Sequence, residues 1–233
     1  MHLDVWVVTH ASLTHTENED RAVVADTVLA EAASVEHHQL SAPTMLAALD
    51  GLGGHSAGNV ASHLAAKLLA ASDVPRDEPA AEALLQLADQ TLHDATATDP
   101  ALTGMGATVA MLAVLDGHLV TANVGDTTAW RYSDAQLEPL TVSDRIGGSQ
   151  IGQCLGATGD LAPHVRTVDL TAGDRLLLAS DGLTDVVDAD TIAQALRGPA
   201  DQAVSQLYGM VEAARFPDDV TIVLAEVQAA DVS

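Results

Sequence analysis

An α+β fold, and not a doubly wound one, is what the order of hydrophobic periodicities predicts. Strand-like runs come first, a pair of helical stretches follows, then further strands, a second helical pair and a last strand, without strict strand–helix alternation. Hydrophobic residues make up 48% of the 233-residue chain, enough to bury a core, and no Pro/Ser/Gly-rich linker or repeated block divides it. One domain over 1–233 is therefore expected. Aromatics are only 2%, so its core must be built from Ala, Leu and Val through many small contacts.

Taken in order, Leu3 to Thr9 and Arg21 to Val28 carry short β-branched runs, and the polar stretch Ser12 to Asp20 reads as their connection. Ala30 to Ala42 has no clear pattern. Thr44 to Leu49 is an apolar run that stops at Asp50-Gly51-Leu52-Gly53-Gly54-His55, as a buried strand ending in a glycine-rich loop would. From Ala57 to Ala71 the period changes. Val60, Leu64 and Leu68 fall on one i, i+4 row and Ala61, Ala65 and Leu69 on the next, which predicts an amphipathic helix. Ala80 to Ala95 repeats the pattern through Leu84, Ala88 and Leu92, with Pro75 and Pro79 breaking the chain between the two helices.

Thr108 to Leu115 and His118 to Val124 form a hairpin pattern across Asp116-Gly117, whose glycine takes the positive φ of a tight turn. Strands are expected at Thr128 to Tyr132, His164 to Val168 and Arg175 to Ser180. Asp190 to Arg197 reads as a helix closed by Gly198, Val204, Leu207, Tyr208 and Val211 mark another, and Val220 to Val227 is the last strand.

Charge narrows the function. Nine Lys plus Arg against 33 Asp plus Glu give a formal −24, which repels phosphate backbones and anionic lipid, so neither nucleic acid nor a membrane is an expected partner. A single cysteine, Cys154, excludes an intrachain disulfide and a cysteine zinc cluster and agrees with a reducing compartment. The first residues lack the basic start and apolar core of a secretion signal, and a cytoplasmic location is expected.

Most of the acidic residues read as solvated surface. Asp50, Asp126, Asp181 and Asp218 differ, because each sits where an apolar strand run meets a turn, and Glu19 and Asp20 add a further point just before the strand at Arg21. If they converge, two carboxylates about 4 Å apart repel by roughly 4 kcal/mol at an effective dielectric near 20, so a cation must lie between them. Hard oxygen ligands suit Mg²⁺ or Mn²⁺. Two such ions sharing a carboxylate would activate water for in-line attack on phosphorus without a covalent enzyme intermediate. Spacing alone leaves the convergence open. No P-loop, nucleophile elbow or His-Glu-x-x-His motif competes.

The ordered motifs resemble the metal-dependent protein phosphatases, the type 2C Ser/Thr family, in compact bacterial form. Asn18-Glu19-Asp20 is similar to the first acidic motif. Asp50-Gly51-Leu52-Gly53-Gly54-His55 with Ala57-Gly58 resembles the Asp-Gly-Met-Gly-Gly-His loop and its helix, and Gly106-Ala107-Thr108 the Gly-Thr-Thr. Asn123-Val124-Gly125-Asp126, Ser180-Asp181-Gly182-Leu183-Thr184-Asp185 and Pro217-Asp218-Asp219-Val220-Thr221 complete the series over nearly the whole chain.

The resemblance implies a four-layer α-β-β-α sandwich, two mostly antiparallel sheets flanked by antiparallel helix pairs, with a dinuclear Mn²⁺/Mg²⁺ centre at one edge. Carried over by position, Asp50 bridges both ions, Gly51 offers its carbonyl, Asp181 and Asp218 complete the second ion, and Asp20 or Glu19 holds the first directly or through water. Asp126 and Asp185, with Asp181, match where many bacterial members bind a third, weaker metal. The implied activity is hydrolysis of phosphoserine and phosphothreonine in a protein phosphorylated by a Ser/Thr kinase, by a monomer.

Three departures qualify that expectation. Where the family commonly has a phosphate-gripping arginine, four residues before Glu19, this chain has His15, which lacks a permanent two-pronged charge, so phosphate binding should be weaker or more pH-dependent. The motif that usually ends Asp-Asn reads Asp218-Asp219, and position selects Asp218 as the ligand. Finally, the flap of bacterial members is reduced to about 142–153. His55 matches the glycine-loop histidine without being assigned the role of general acid. The alternative to an enzyme is a noncatalytic phosphatase-fold module that binds phosphoproteins, favoured by His15 and the short flap and opposed by the retained Asp50, Asp181 and Asp218. A more distant reading is a plain acidic, metal-buffering protein.

Overall fold

The computed structural model describes residues 1–53, 57–147 and 150–229. In chain order its elements are β1 (His2–His10), β2 (Asp20–Val24), β3 (Thr27–Leu29), β4 (Ala32–Ser41), β5 (Thr44–Leu52), α1 (Ala57–Ala71), α2 (Glu78–Thr98), β6 (Gly106–Val114) and β7 (His118–Val124). Then follow β8 (Thr128–Ser133), β9 (Gln136–Pro139), β10 (Arg145–Gly147), β11 (Gln150–Ile151), β12 (His164–Asp169), β13 (Arg175–Ala179), α3 (Asp181–Thr184), α4 (Ala189–Ala195), α5 (Ala200–Ala213) and β14 (Val220–Gln228).

Two six-stranded sheets, ordered β4-β1-β14-β13-β8-β9 and β12-β7-β6-β5-β2-β3, are antiparallel at every pairing. Side chains alternate across each strand and sort the core into three strata. On β5, Met45, Ala47 and Leu49 pack among Ala61, Ala65 and Leu69 of α1 and Leu85 and Leu92 of α2. The intervening Leu46 and Ala48 meet Val5, Val7, Leu178 and Val223 of the opposite sheet. On that sheet's far side, Leu177, Ile222 and Leu224 receive Ile192 of α4 and Val204, Leu207 and Val211 of α5. The result is the expected α+β sandwich of four layers, helix pair, sheet, sheet, helix pair.

Two local expectations need correction. The run from Arg21 to Val28 is two strands, because the chain turns at Ala25, which adopts φ 56°, and β2 and β3 then pair as a hairpin. The patternless stretch after Ala30 is the edge strand β4, whose polar Glu36, His37, His38 and Gln39 pair with β1. Edge strands tolerate such side chains since only one flank is covered. The helix expected over Asp190 to Arg197 runs from Ala189 to Ala195, with the Asp188 carboxylate accepting from Thr191 N–H at its start.

Candidate metal centre

Strand register alone places one pair of carboxylates side by side. Asp20 opens β2 directly opposite Asp50 near the end of β5, and Asp50 faces Thr108 of β6 on its other flank. Asp181 arrives from the other sheet, where β13 ends at Ala179 and the chain turns through Ser180 into α3, and Asp218 stands just before β14. The sheets are tied together beneath them. Ser180 Oγ–H donates to Asp20 Oδ2 (2.6 Å) and accepts from Thr221 N–H (2.9 Å), while Thr9 and Thr221 share a hydroxyl contact of 2.8 Å and Asn18 Nδ2 donates to Thr9.

Close backbone approach explains the glycines of these motifs. A Cβ on Gly51 would lie 2.1 Å from the Gly58 carbonyl oxygen, and one on Gly182 only 1.9 Å from that of Asp219. Gly51 N–H also donates to the Glu19 carbonyl, so the first acidic motif, the glycine loop and the start of α1 are packed backbone to backbone. Glu19 lays its carboxylate over Gly58, where any side chain would displace it.

The electrostatics describe a site short of positive charge. Burial first, then the charges of Asp20, Asp181, Asp218 and Asp126, push the Asp50 carboxyl well above its ordinary range. Burial likewise raises Asp20 strongly, the Ser180 hydrogen bond opposes that, and Asp219 and Asp181 add to it. Asp181 is pushed up to about 6 by burial, Asp218, Asp126 and Asp185, against the opposing charge of Arg145. Glu19 is raised as well, by burial foremost. Asp20 Oδ1 is buried and has no hydrogen-bond partner among the described residues. An oxygen of this kind, among carboxylates that disfavour one another's ionisation, suits a hard divalent cation. The donor set of Asp20, Asp50, Asp181, Asp218 and Glu19, with the Gly51 carbonyl, is all oxygen and fits Mn²⁺ or Mg²⁺.

The two adjacent aspartates have different environments. Asp219 is buried, and its carboxylate accepts from Ser12 N–H (2.6 Å), Glu19 N–H (2.6 Å) and His15 Nδ1 (3.0 Å). Asp218 is exposed and accepts only from Asp219 N–H among the described contacts, so it is the carboxylate with capacity left for an ion. His15 is exposed but committed at Nδ1 to Asp219. Burial alone would lower its pKa; the charge and hydrogen bond of Asp219, with Asp218 and Glu19, outweigh this and raise it.

The carboxylates of Asp126, Asp181 and Asp185 all converge on Arg145. Sequence reasoning missed this arginine and Asp144, and gave no role to Ser180 or to the buried Asp219 beyond their place in the motifs. Arg145 is one of nine Lys and Arg residues in the chain and stands within 142–153, but its sequence neighbours do not announce its acidic partners. His55 lies outside the described residues.

A family model described as Stage II sporulation protein E (SpoIIE) matches residues 43–228. Among curated proteins, the serine/threonine protein phosphatase PstP of Mycobacterium tuberculosis is 30% identical over 210 residues, which are 78% of this chain and 40% of PstP. The chain thus spans well under half the length of that relative. Protein phosphatase PhpP of Streptococcus pneumoniae is 27% identical over 216 residues, 81% of this chain and 87% of PhpP. The crystal structure of the Mycobacterium tuberculosis PstP phosphatase superposes with a TM-score of 0.82 at 26% identity, covering 98% of this chain and all of that one. The PstP catalytic domain in complex with two manganese ions superposes at 0.80.

Proposed function

We propose, for a chain that belongs to the type 2C-like, SpoIIE-related family of bacterial metal-dependent protein phosphatases, that it hydrolyses phosphoserine and phosphothreonine esters in proteins through two divalent ions held by Asp50 and its neighbours. The observation that carries this reading is the Asp50 carboxylate, set opposite Asp20 by strand register and disfavoured in its charged form by burial and by the charges of Asp20, Asp181, Asp218 and Asp126. Mutually repelling carboxylates at the meeting point of two sheets lower stability unless a ligand compensates them. The two manganese ions bound by the PstP catalytic domain support the same count here.

In this reading Asp50 would bridge the ions, Gly51 would add its carbonyl, Asp181 and Asp218 would hold one ion, and Asp20 or Glu19 would hold the other directly or through water. Once bound, the pair supplies Lewis-acid chemistry, activating water as a nucleophile and offsetting phosphate charge. The protein's own part is placement. Asp219 binds the loop N–H groups of Ser12 and Glu19 and so fixes that loop beside the carboxylates, and its hydrogen bond turns the His15 ring and favours its cationic form. A charged imidazole there attracts a substrate phosphate, with less reach than a guanidinium. The phosphoprotein substrate, the partner kinase, the monomeric state and the cytoplasmic setting belong to the same proposal; among the described residues, no helix is long and apolar enough to cross a membrane.

Hydrolysis of p-nitrophenyl phosphate tests the reading. Turnover should appear with Mn²⁺, vanish with chelator and be lost in Asp181→Asn. A folded wild-type chain that binds two Mn²⁺ but never turns over, across metals and pH, would favour the noncatalytic phosphoprotein-binding module instead.

A further inference from the structure

The slot formed by Asp126, Asp181 and Asp185 already holds a cation, and it is part of the chain. Arg145 Nε donates to Asp126 Oδ2 (2.9 Å), Nη2 donates to Asp181 Oδ2 (2.9 Å) and lies 2.8 Å from Asp126 Oδ2, and Nη1 reaches both oxygens of Asp185 (2.9 and 3.1 Å). A planar guanidinium presents five N–H donors in a fixed fork, against three rotatable ones on an ammonium, and so serves three carboxylates at once with donors preset in one plane. Asp126 is 5% exposed, and its second oxygen, Oδ1, is buried without a hydrogen-bond partner among the described residues. The slot therefore retains unspent ligand capacity.

Arg145 is delivered by a stiff mount. The preceding residue, Asp144, accepts from Gly125 N–H (2.7 Å), Gln153 Nε2 (3.0 Å) and His164 Nε2 (2.8 Å), so its carboxylate joins the end of β7, the far side of the hairpin and β12. Its backbone pairs with the Gly125 carbonyl and with Gly152 N–H. Strands β10 and β11 then close the shortened segment into a small hairpin with Arg145 at its base. One end of the hairpin is thus anchored to Gly125, the residue before Asp126, which leaves the guanidinium little freedom to leave the carboxylates.

We propose that Arg145 is a built-in replacement for a third divalent cation: its guanidinium fills the Asp126–Asp181–Asp185 slot, so the loaded protein holds two metal ions and a tethered third positive charge. The proposal rests on the two-ion reading only for the wild-type count; its own content is the site that Arg145 blocks. A guanidinium donates hydrogen bonds but cannot accept a water lone pair, so this slot neutralises charge without activating water.

The test is Mn²⁺ binding, followed as free ion by electron paramagnetic resonance up to millimolar concentration, for wild type, Arg145→Ala and the double variant Arg145→Ala/Asp185→Asn, with circular dichroism to establish folding. Wild type should show two saturable sites, Arg145→Ala one more of weaker affinity, and the double variant should lose the added site or weaken it at least tenfold. Should Arg145→Ala fail to fold, Arg145→Gln, which keeps most of the volume, is read in the same way. An added site in the single variant supports the proposal whatever the wild-type count below three. No added site, or three sites in wild type, overturns it. Two wild-type sites with none added would overturn this inference alone, and no saturable site in either protein would overturn both it and the two-ion reading.

Discussion

Asp219 stands beside Asp218, the proposed ligand, and acts through its hydrogen bonds. With two carboxylate oxygens it accepts from Ser12 N–H and Glu19 N–H at 2.6 Å each and from the His15 ring. An asparagine offers a single acceptor oxygen, so Asp219→Asn should leave one of these donors unsatisfied at a cost of about 1–3 kcal/mol, measurable as a lower Tm of the metal-free protein. Asp50→Asn should do the reverse, raising the metal-free Tm by a few degrees because it removes a charge that four neighbouring carboxylates oppose, while abolishing metal-dependent hydrolysis. His15→Arg should lower KM for a phosphorylated substrate; an unchanged KM would remove His15 from phosphate binding. Position alone separated Asp218 from Asp219 at the sequence level; in the structure Asp219 is buried with three hydrogen-bond donors while Asp218 is exposed, which supports proposing Asp218 as the ligand. Arg145 was not legible, because its partners lie 19, 36 and 40 residues away and no local pattern encodes such a meeting.

Elements with a strong period were the readable ones. Helix α1 spans Ala57–Ala71 as its 3.6-residue rows predict, and the hairpin of β6 and β7 closes through Leu115 N–H to the His118 carbonyl across Asp116-Gly117. Strand β4 escaped because an edge strand carrying Glu36, His37 and His38 has no apolar alternation, and the β2–β3 turn escaped because Ala25 takes a left-handed φ without a glycine to announce it. Strands β10 and β11 are too short for any period to register. Their stability should depend on Asp144. Asp144→Ala removes acceptors used by Gly125, Gln153 and His164, so amide exchange across 144–152 should quicken selectively, while the strands of the sandwich core keep wild-type protection.

The whole molecule couples folding to charge. Asp181 is held near 6, against an ordinary 3.8, by burial and by Asp218, Asp126 and Asp185, and Asp20 and Asp50 are raised too, so the metal-free native state favours their protonated forms. Stability from Asp181 is fully present below about pH 4 and is lost as pH rises through about 6, on the order of 3 kcal/mol, and the raised Asp20 and Asp50 act in the same direction. Saturating Mn²⁺ should restore it, adding about 2.7 kcal/mol per ion at a hundredfold excess over Kd, so the Tm gain from metal should grow with pH. The −24 net charge acts at longer range and should favour substrates with basic flanks, an advantage that shrinks at high salt. The most direct measurement is phosphate release from a basic phosphothreonine peptide as Mn²⁺ is returned to chelator-stripped protein. Release should be absent at first, rise to a plateau with added ion and stay absent in Asp50→Asn. A folded wild-type protein that releases no phosphate with either Mn²⁺ or Mg²⁺ at any pH would contradict the account.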